Sequence, residues 1–305
     1  MLLWPNGRFP TCTFIQLNRF TMSDNSALLA MEGQIVSRCF SPGLVVLSYV
    51  VSWIGAWTTL ELINKRTAGR GLYNWYGQLS HNIIHFAGTN SYRYLLVGSS
   101  ISMGGIAIWG MFFLGTRAII LGDGDDSLQV AYNPSFTALS FFVPIVVLLV
   151  AFITVGSNEK ISWLRVGLGG ALAGLTICGM HYLGQAGILN YWVKYMVGNI
   201  VGSVLIAVIA TTAALAVFFI LRATWIASWW SRALTASLLA GAVSGMHWVA
   251  EIGTQYRLKQ SDTATDGVLS SNATVIVVIV LVLPTFSHLF GNHPNFCSLL
   301  RLVLF

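Results

Sequence analysis

Seven apolar stretches make up more than half of this 305-residue chain, and each is long enough to cross a lipid bilayer as a helix. Each reaches the roughly 20 residues that a helix needs to span the hydrocarbon core. Because backbone groups find no water inside a bilayer, such stretches pair their own N–H and C=O groups as helices. The pattern predicts an all-α membrane protein with seven transmembrane helices, at 43–63, 94–121, 134–156, 163–188, 195–221, 230–254 and 269–290.

The composition also indicates a membrane protein. Only 9% of the residues are charged and 55% are hydrophobic, whereas a soluble domain carries about 25% charged residues. The net charge of +6 is small for this length, and Lys and Arg in loops explain it better than nucleic-acid binding does. We therefore expect the chain to be surrounded by the lipid bilayer and to have no nucleic-acid partner.

The ends of the chain and its orientation follow from the same pattern. Residues 1–42 are predicted to form a polar N-terminal segment without a signal-peptide pattern, and residues 291–305 a short C-terminal tail without an output domain. With the N-terminus outside, nine Lys and Arg residues fall inside and seven outside, in the direction of the positive-inside rule. We expect a multi-pass plasma-membrane protein with its N-terminus outside and its C-terminus in the cytoplasm.

Three similar motifs recur along the chain. Their methionines, Met111, Met180 and Met246, are separated by 69 and 66 residues and lie in the even-numbered spans. Because these spans run in the same direction, the motifs fall at one depth, in the outer half of the bilayer for the predicted orientation. A repeat of two spans predicts three helix pairs followed by a seventh helix. The motifs read GGIAIWGMFFLG (104–115), GLTICGMHYLG (174–184) and AGAVSGMHWVAEIG (240–253).

Glycines at four-residue spacing accompany these motifs. In membranes, such small residues let helix backbones approach each other closely. We interpret them as packing positions. They are Gly170 with Gly174, Gly241 with Gly245, and Gly198 with Gly202.

The motifs carry donor atoms that suit a metal. His181 and His247 each follow a motif methionine. Imidazole and thioether together suit copper, and thioether favours Cu(I). Glu251 lies four residues after His247 and shares its helix face, so its carboxylate is expected to orient the imidazole. Cys178 is interpreted as a small core residue.

The residues GMHYLG and SGMHW, placed in alternate spans, resemble the MHYT domain, a multi-span sensor module. The resemblance covers roughly residues 43–290, and RAIILGDG (117–124) and NYWVKY (190–195) are most similar to its fungal branch. It implies a membrane-embedded sensor rather than an enzyme, with a metal, copper, that senses oxygen, carbon monoxide or nitric oxide. It also implies a signalling partner in the cytoplasm.

The resemblance assigns a set of site residues. It implies metal binding by the motif methionines and histidines. We expect Tyr182 and Glu251 to support these donors from outside the donor set. The implied donors are Met111, Met180, His181, Met246 and His247.

The chain departs from the family pattern within these motifs. The first motif has Phe112 in place of histidine. The tyrosine position holds Phe113, Tyr182 and Trp248, and the second methionine of the family motif is replaced by Thr116, Gln185 and Glu251.

Other functions remain open at this level. His181 and His247 could be the axial ligands of a b-type haem, or polar residues could line the path of a transporter. A retinal-type receptor is disfavoured because the seventh span has no lysine for a Schiff base. We find no phosphate loop, hydrolase nucleophile motif or dinucleotide fingerprint. The four cysteines are scattered, and their spacing indicates neither a zinc site nor a disulfide framework.

Overall fold

The chain folds as a helical bundle whose helices mostly match the predicted spans. A computed structural model describes residues 33–76, 84–122, 128–156, 163–224, 229–259, 269–270, 273 and 275–282. Within them the helices are α1 (Pro42–Tyr76), α2 (Ile84–Ile101), α3 (Met111–Arg117), α4 (Pro134–Gly156), α5 (Trp163–Ala186), α6 (Val197–Thr224) and α7 (Trp229–Ile252). A π-helical segment, Ser102–Gly110, joins α2 to α3 without a break.

Six helical stretches in the described residues are long and apolar enough to cross a membrane. They match the first six predicted spans, so the mostly helical membrane fold is confirmed. Of the seventh predicted span, residues 273 and 275–282 are helical, and 271–272, 274 and 283–290 lie outside the described residues. The six stretches are Pro42–Arg66, Arg93–Arg117, Pro134–Thr154, Trp163–Ala186, Val197–Val217 and Arg232–Ile252.

Six short strands, which the sequence did not predict, accompany the helices. They pair as three antiparallel two-stranded sheets, β1 with β2, β3 with β6, and β4 with β5. Each strand directly precedes or follows a helix at the same end of the bundle, so together they form a cap there, which we call the β-cap. The strands are β1 (Arg38–Phe40), β2 (Ile119–Leu121), β3 (Ala131–Tyr132), β4 (Tyr191–Tyr195), β5 (Thr254–Leu258) and β6 (Leu269–Ser270).

The β-cap explains why several predicted span ends were wrong. Residues 119–121, 195, 254 and 269–270 were assigned to spans but lie in strands. Apolar, β-branched and aromatic residues there read as a continuation of the apolar runs. Strands from different loops pair antiparallel, and this pairing supplies hydrogen bonds to their backbone groups. A count of apolar residues along the chain does not detect such pairing.

The structure also contains a disulfide that the cysteine spacing did not indicate. Cys39 in β1 is disulfide-bonded, and its partner lies outside the described residues. Cys39 pairs with Ile120 across the β1–β2 sheet, so the disulfide belongs to the β-cap. Among the described cysteines, Cys178 is free and buried.

The spans form a closed ring in chain order, because α7 packs against α1 as well as α6. The second, fourth and sixth spans bury more of their length inside the protein than the first, third and fifth do. The motif-bearing spans are therefore the inner ones, and the first, third and fifth spans present more surface to lipid. This arrangement places all three motifs at the centre of the bundle.

The three motifs lie at one depth. Met111, Met180 and Met246 each lie six residues before the end of their helix, which is about 9 Å from the β-cap end of the bundle at 1.5 Å per residue. Gly104 precedes its methionine by seven residues and Gly174 by six. The π-helical segment lies in the first motif and accommodates one additional residue, because a π-turn contains more residues than an α-turn.

Close helix contacts depend on particular glycines. A Cβ added to Gly174 would lie 2.6 Å from Val208 Cα, and one on Gly104 would lie 2.8 Å from the backbone nitrogen of Ile145. Gly170 is similarly close to Thr212, which confirms the predicted packing of the Gly170–Gly174 pair. The other two predicted pairs have at most ordinary contacts at these positions: Gly198 and Gly241 meet open space, and Gly202 and Gly245 have neighbours at 3.7 and 3.8 Å.

Replacing Gly174 with alanine is expected to destabilise the bundle. The added Cβ meets the backbone of α6, which cannot move aside as a side chain can, and overpacking of this kind costs roughly 1–3 kcal/mol. The matched control is Gly167→Ala in the same helix, where a Cβ meets nothing within 4 Å. Thermal unfolding followed by circular dichroism in detergent measures the effect. Equal melting temperatures for the two variants would contradict the close packing of α5 and α6.

Candidate functional site

Three aromatic rings, one from each motif, meet at the centre of the bundle. Phe112, His181 and His247 occupy equivalent motif positions and are all buried. The ring centroids are 5.3 Å apart for Phe112 and His181, 5.7 Å for Phe112 and His247, and 5.1 Å for the two histidines. The three rings therefore form a nearly equilateral triangle, which we call the ring layer.

Two motif glycines make room for the ring layer. A Cβ on Gly184 would lie 2.5 Å from Cε1 of Phe112, and one on Gly115 would lie 2.5 Å from Nε2 of His247. Both glycines lie four residues after their motif methionine. The rings of Phe112 and His247 thus pack against the backbone of another motif helix, so side chains of the motifs hold α3 against α5 and α7.

The two histidines contact each other directly. Nδ1 of His181 and Nδ1 of His247 are 3.2 Å apart. A neutral imidazole has one N–H and one bare nitrogen. In this hydrogen bond, Nδ1 of one histidine carries the proton and donates it, and Nδ1 of the other histidine is bare and accepts it. The two Nε2 atoms, one protonated and one bare, are buried and have no hydrogen-bond partner among the described residues. Leaving such a group unsatisfied costs about 1–3 kcal/mol.

A second layer of polar side chains lies one helical turn towards the β-cap. It consists of Thr116, Gln185 and Glu251, each four residues after a ring-layer residue and each buried. Gln185 Nε2 donates a hydrogen bond to Glu251 Oε1. Thr116 Oγ1 donates to the Phe112 carbonyl at 2.9 Å. We call this set the polar layer.

Tyrosines of the β-cap cover the polar layer. The hydroxyl of Tyr256, in β5, donates to Glu251 Oε2 at 2.9 Å. Burial, reinforced by the Glu251 charge, raises the pKa of Tyr256 well above its usual value, so the phenol keeps its proton and acts as a donor. Tyr132 in β3 contacts the Thr116 hydroxyl, and burial likewise raises its pKa above the usual value.

An arginine of the β-cap holds the end of the helix that carries Glu251. Arg38 donates to the carbonyls of Glu251 and Thr254 at 2.6 and 2.7 Å, and to that of Ile252 at 2.9 Å. The last carbonyls of a helix lack intrahelical partners and carry negative partial charge, which a cation stabilises. Arg38 therefore fixes the C-terminus of α7 above the site.

The structure brings the predicted histidines and carboxylate together. Donor atoms of His181, His247 and Glu251 all lie within 4.8 Å of one another. The methionines Met111, Met180 and Met246 belong to the same buried core and are each 1% exposed. The structure thus groups the two histidines with Glu251, and it buries each methionine one residue before a ring-layer residue.

Tyr182 has surroundings different from those of Glu251. Its hydroxyl lies 3.1 Å from Ser203 Oγ on α6, and its ring meets that of Tyr195 edge to face. It therefore ties α5 to α6 and β4 through its own contacts. Cys178 is buried near the motif but is not part of the donor group found among the described residues.

Three residues of the site, Arg38, Tyr132 and Tyr256, were not predicted from the sequence. Arg38 lies 213 residues before Glu251, in β1. Tyr256 lies only five residues after Glu251, but it belongs to β5 beyond the end of α7, where helical spacing no longer applies. Gln185 and Thr116 were noted as replacements of methionine without a role. Their position four residues after the ring-layer residues was the signal that would have joined them to Glu251.

Comparison with known proteins identifies the motifs. The family model described as "MHYT: Bacterial signalling protein N terminal repeat" matches residues 105–169 and 174–229. These segments contain the first two motifs, and the third motif lies beyond them. No solved structure matches the chain.

Two bacterial proteins are similar to most of the chain. The "Bifunctional diguanylate cyclase/cyclic di-GMP phosphodiesterase MucR" of Pseudomonas aeruginosa is 28% identical over 249 residues, covering 79% of this chain and 32% of that protein. The "Signaling protein YkoW" of Bacillus subtilis is 22% identical over 262 residues, covering 84% of this chain and 29% of that protein. The chain therefore spans about a third of the length of these relatives.

The family model and the relatives support the broad prediction of function and leave its finer parts as predictions. The broad prediction, a membrane protein with a sensor or signalling role, is supported by the family model and by both relatives. Both relatives are bacterial, so the assignment to the fungal branch stays a prediction. The matches support the MHYT family for this chain, through the two motif repeats that lie at 105–169 and 174–229.

Proposed function

We propose that this chain is a membrane sensor module and that its input site is a copper centre at the ring layer. The observation that carries the proposal is the meeting of two buried motif imidazoles from different helices, with Nδ1 atoms 3.2 Å apart. A pair of ionisable side chains inside a membrane span is costly to bury. A bound ion is the simplest reason to keep it.

The donor geometry fits a metal ion. Two imidazole nitrogens bound at about 2.0–2.1 Å to one tetrahedral ion lie roughly 3.3–3.4 Å apart. The separation of 3.2 Å between the Nδ1 atoms of His181 and His247 is close to this value. The three motif methionines, buried in the same core, offer thioether sulfurs, which suit copper.

The site lies where ligand binding would rearrange the packing of the helices. The ring layer is where α3, α5 and α7 touch through Phe112, His181 and His247. A ligand at this junction must alter contacts of all three helices, because packed interiors do not deform without rearrangement. Copper held there would supply a coordination position for a diatomic gas such as oxygen, carbon monoxide or nitric oxide. We propose a cytoplasmic signalling partner as the receiver.

The packing disfavours the haem alternative. A haem bound through His181 and His247 would place its ring plane between the two imidazoles. These imidazoles contact each other at 3.2 Å, and Phe112 packs edge to face against both. A haem would require the three motif helices to separate.

The β-cap favours an orientation with the site in the outer half of the membrane. Disulfides persist on the oxidising side of a membrane, and Cys39 in β1 is disulfide-bonded. The β-cap lies at the end of the bundle nearest the motifs. We therefore propose that the β-cap faces the outside of the plasma membrane and that the C-terminus is cytoplasmic.

Removing both imidazoles is expected to abolish copper binding. The double variant His181→Ala and His247→Ala loses the two nitrogen donors, and copper in the purified protein falls to background by elemental analysis. Cys178→Ala is the matched control, because Cys178 lies in the same buried helix face outside the donor group. Equal copper in the wild type and the double variant would disprove the copper centre. Copper accompanied by no Soret band would separate it from haem.

Restoring a histidine at position 112 is expected to strengthen copper binding. Phe112 lies 5.3 and 5.7 Å from the two imidazole rings, so Phe112→His adds a third nitrogen donor to the ring layer. We expect an affinity at least about tenfold higher, which corresponds to about 1.4 kcal/mol, measured by competition with a copper chelator. Phe113→His is the control, because Phe113 is also buried but packs against Trp109 and Tyr132. An equal effect of both variants would argue against a centre at the ring layer.

The orientation is tested by labelling Cys39 in intact cells. A reductant and a maleimide that cannot cross membranes are applied in turn, and mass spectrometry locates the label. Label is expected on Cys39 only after reduction, and none on the buried Cys178. If Cys39 is labelled only after the cells are permeabilised, the β-cap faces the cytoplasm.

A further inference from the structure

Glu251 is the carboxylate of the polar layer, whose other two positions hold Thr116 and Gln185. It is a fully buried carboxylate, 0% exposed, in an apolar bundle. A buried carboxylate is retained only where it is paired, hydrogen-bonded or bound to a metal. The other carboxylate described within a span, Glu61, has an ion-pair partner in Arg232 at 2.9 Å. The Arg38 guanidinium, by contrast, donates to the backbone carbonyls of Glu251, Ile252 and Thr254 and not to the Glu251 carboxylate.

The hydrogen bonds of Glu251 orient its carboxylate without using all of its acceptor capacity. Oε1 accepts from Gln185 and Oε2 accepts from Tyr256. A carboxylate has about four lone-pair sites, so each oxygen keeps one for another partner. Hydrogen bonds to a ligating carboxylate are the usual way in which proteins fix such a ligand.

The same carboxylate is within reach of the imidazole pair. Donor atoms of Glu251, His181 and His247 lie within 4.8 Å of one another, so a single ion can contact all three after small side-chain movements. Tyr256 and Gln185 hold the carboxylate from the β-cap side, and the histidines lie on the opposite side. This makes a two-imidazole, one-carboxylate donor set inside the membrane.

A carboxylate changes which ion the site prefers. Thioether sulfur is a soft ligand that favours Cu⁺, whereas nitrogen and oxygen donors suit Cu²⁺ and other divalent ions. Coulomb energy grows with the product of the charges, so a carboxylate attracts a divalent ion more strongly than a monovalent one at the same distance. Replacing a thioether with Glu251 therefore shifts the balance from Cu⁺ towards Cu²⁺.

We infer that Glu251 is a direct metal ligand beside His181 and His247, and that it makes the centre of this chain a site for a divalent ion, Cu²⁺ in the case of copper. The inference rests on the proposed copper centre. Gln185 and Tyr256 are positioning residues that hold the carboxylate.

The test compares Cu²⁺ with Cu⁺ on the full chain in detergent. Metal-free wild type, Glu251→Met and Glu251→Gln are each titrated with Cu²⁺ in air and with Cu⁺ under anaerobic conditions, against a chromophoric competitor. Both variants are expected to lose at least about tenfold in Cu²⁺ affinity, and Glu251→Met to keep its Cu⁺ affinity within about threefold because thioether suits that ion. The electron paramagnetic resonance spectrum of bound Cu²⁺ should change in both variants, since a ligand is lost.

Glu61→Gln is the matched control, because it removes a carboxylate from a span at the other end of the bundle. It is expected to leave both affinities and the Cu²⁺ spectrum unchanged. Cu⁺ binding by Glu251→Met shows that its centre is folded, and the isosteric Glu251→Gln provides the same measurement if the methionine variant does not fold.

The outcomes separate this inference from the proposed function. If the wild type binds copper and both Glu251 variants keep the wild-type Cu²⁺ affinity and spectrum, Glu251 is not a ligand and the copper centre stands. If folded wild-type protein binds neither Cu²⁺ nor Cu⁺, the copper centre and this inference both fail.

Discussion

The contact between His181 and His247 is the constraint on which the centre of this protein depends. Two imidazoles from different helices are buried among apolar side chains, with Nδ1 atoms 3.2 Å apart. Their polar atoms cannot reach water, so the surrounding helices must hold the rings in register. Gly115 and Gly184 have no side chain, so the rings of His247 and Phe112 pack directly against the helix backbone at these positions. The packing of the three motif helices must therefore keep the two imidazoles in contact.

The β-cap extends this constraint to the membrane surface. Glu251 lies one turn from His247 and is held by Gln185 and Tyr256, while Arg38 caps the helix that carries it. Arg38, Gln185 and Glu251 come from separate parts of the chain. The short sheets are therefore part of the site, because β1 delivers Arg38 and β5 delivers Tyr256, two side chains that the helices do not supply.

Pseudo-threefold repetition keeps the shape of the ring layer while its residues differ. Phe112 lies where the other two motifs have histidine. It still completes the ring layer, since an aromatic ring fills the same volume without donor atoms. Thr116, Gln185 and Glu251 similarly form a polar layer at equivalent positions. Repetition preserves the shape of each layer, whereas the chemistry of each position is free to differ.

The sequence by itself determined the membrane class, the first six spans and the equal depth of the three motifs, because apolar length and helical period are local properties. It also identified His181, His247 and Glu251 as candidates. It did not predict the β-cap, the Cys39 disulfide, or the roles of Arg38 and Tyr256, since these depend on pairing between segments far apart in the chain. Only the tertiary structure decided that Gln185 and Tyr256 hold Glu251 and that Tyr182 bonds to Ser203 instead. The direction of a side chain in a bundle is set by how neighbouring helices pack, and sequence spacing alone does not contain that information.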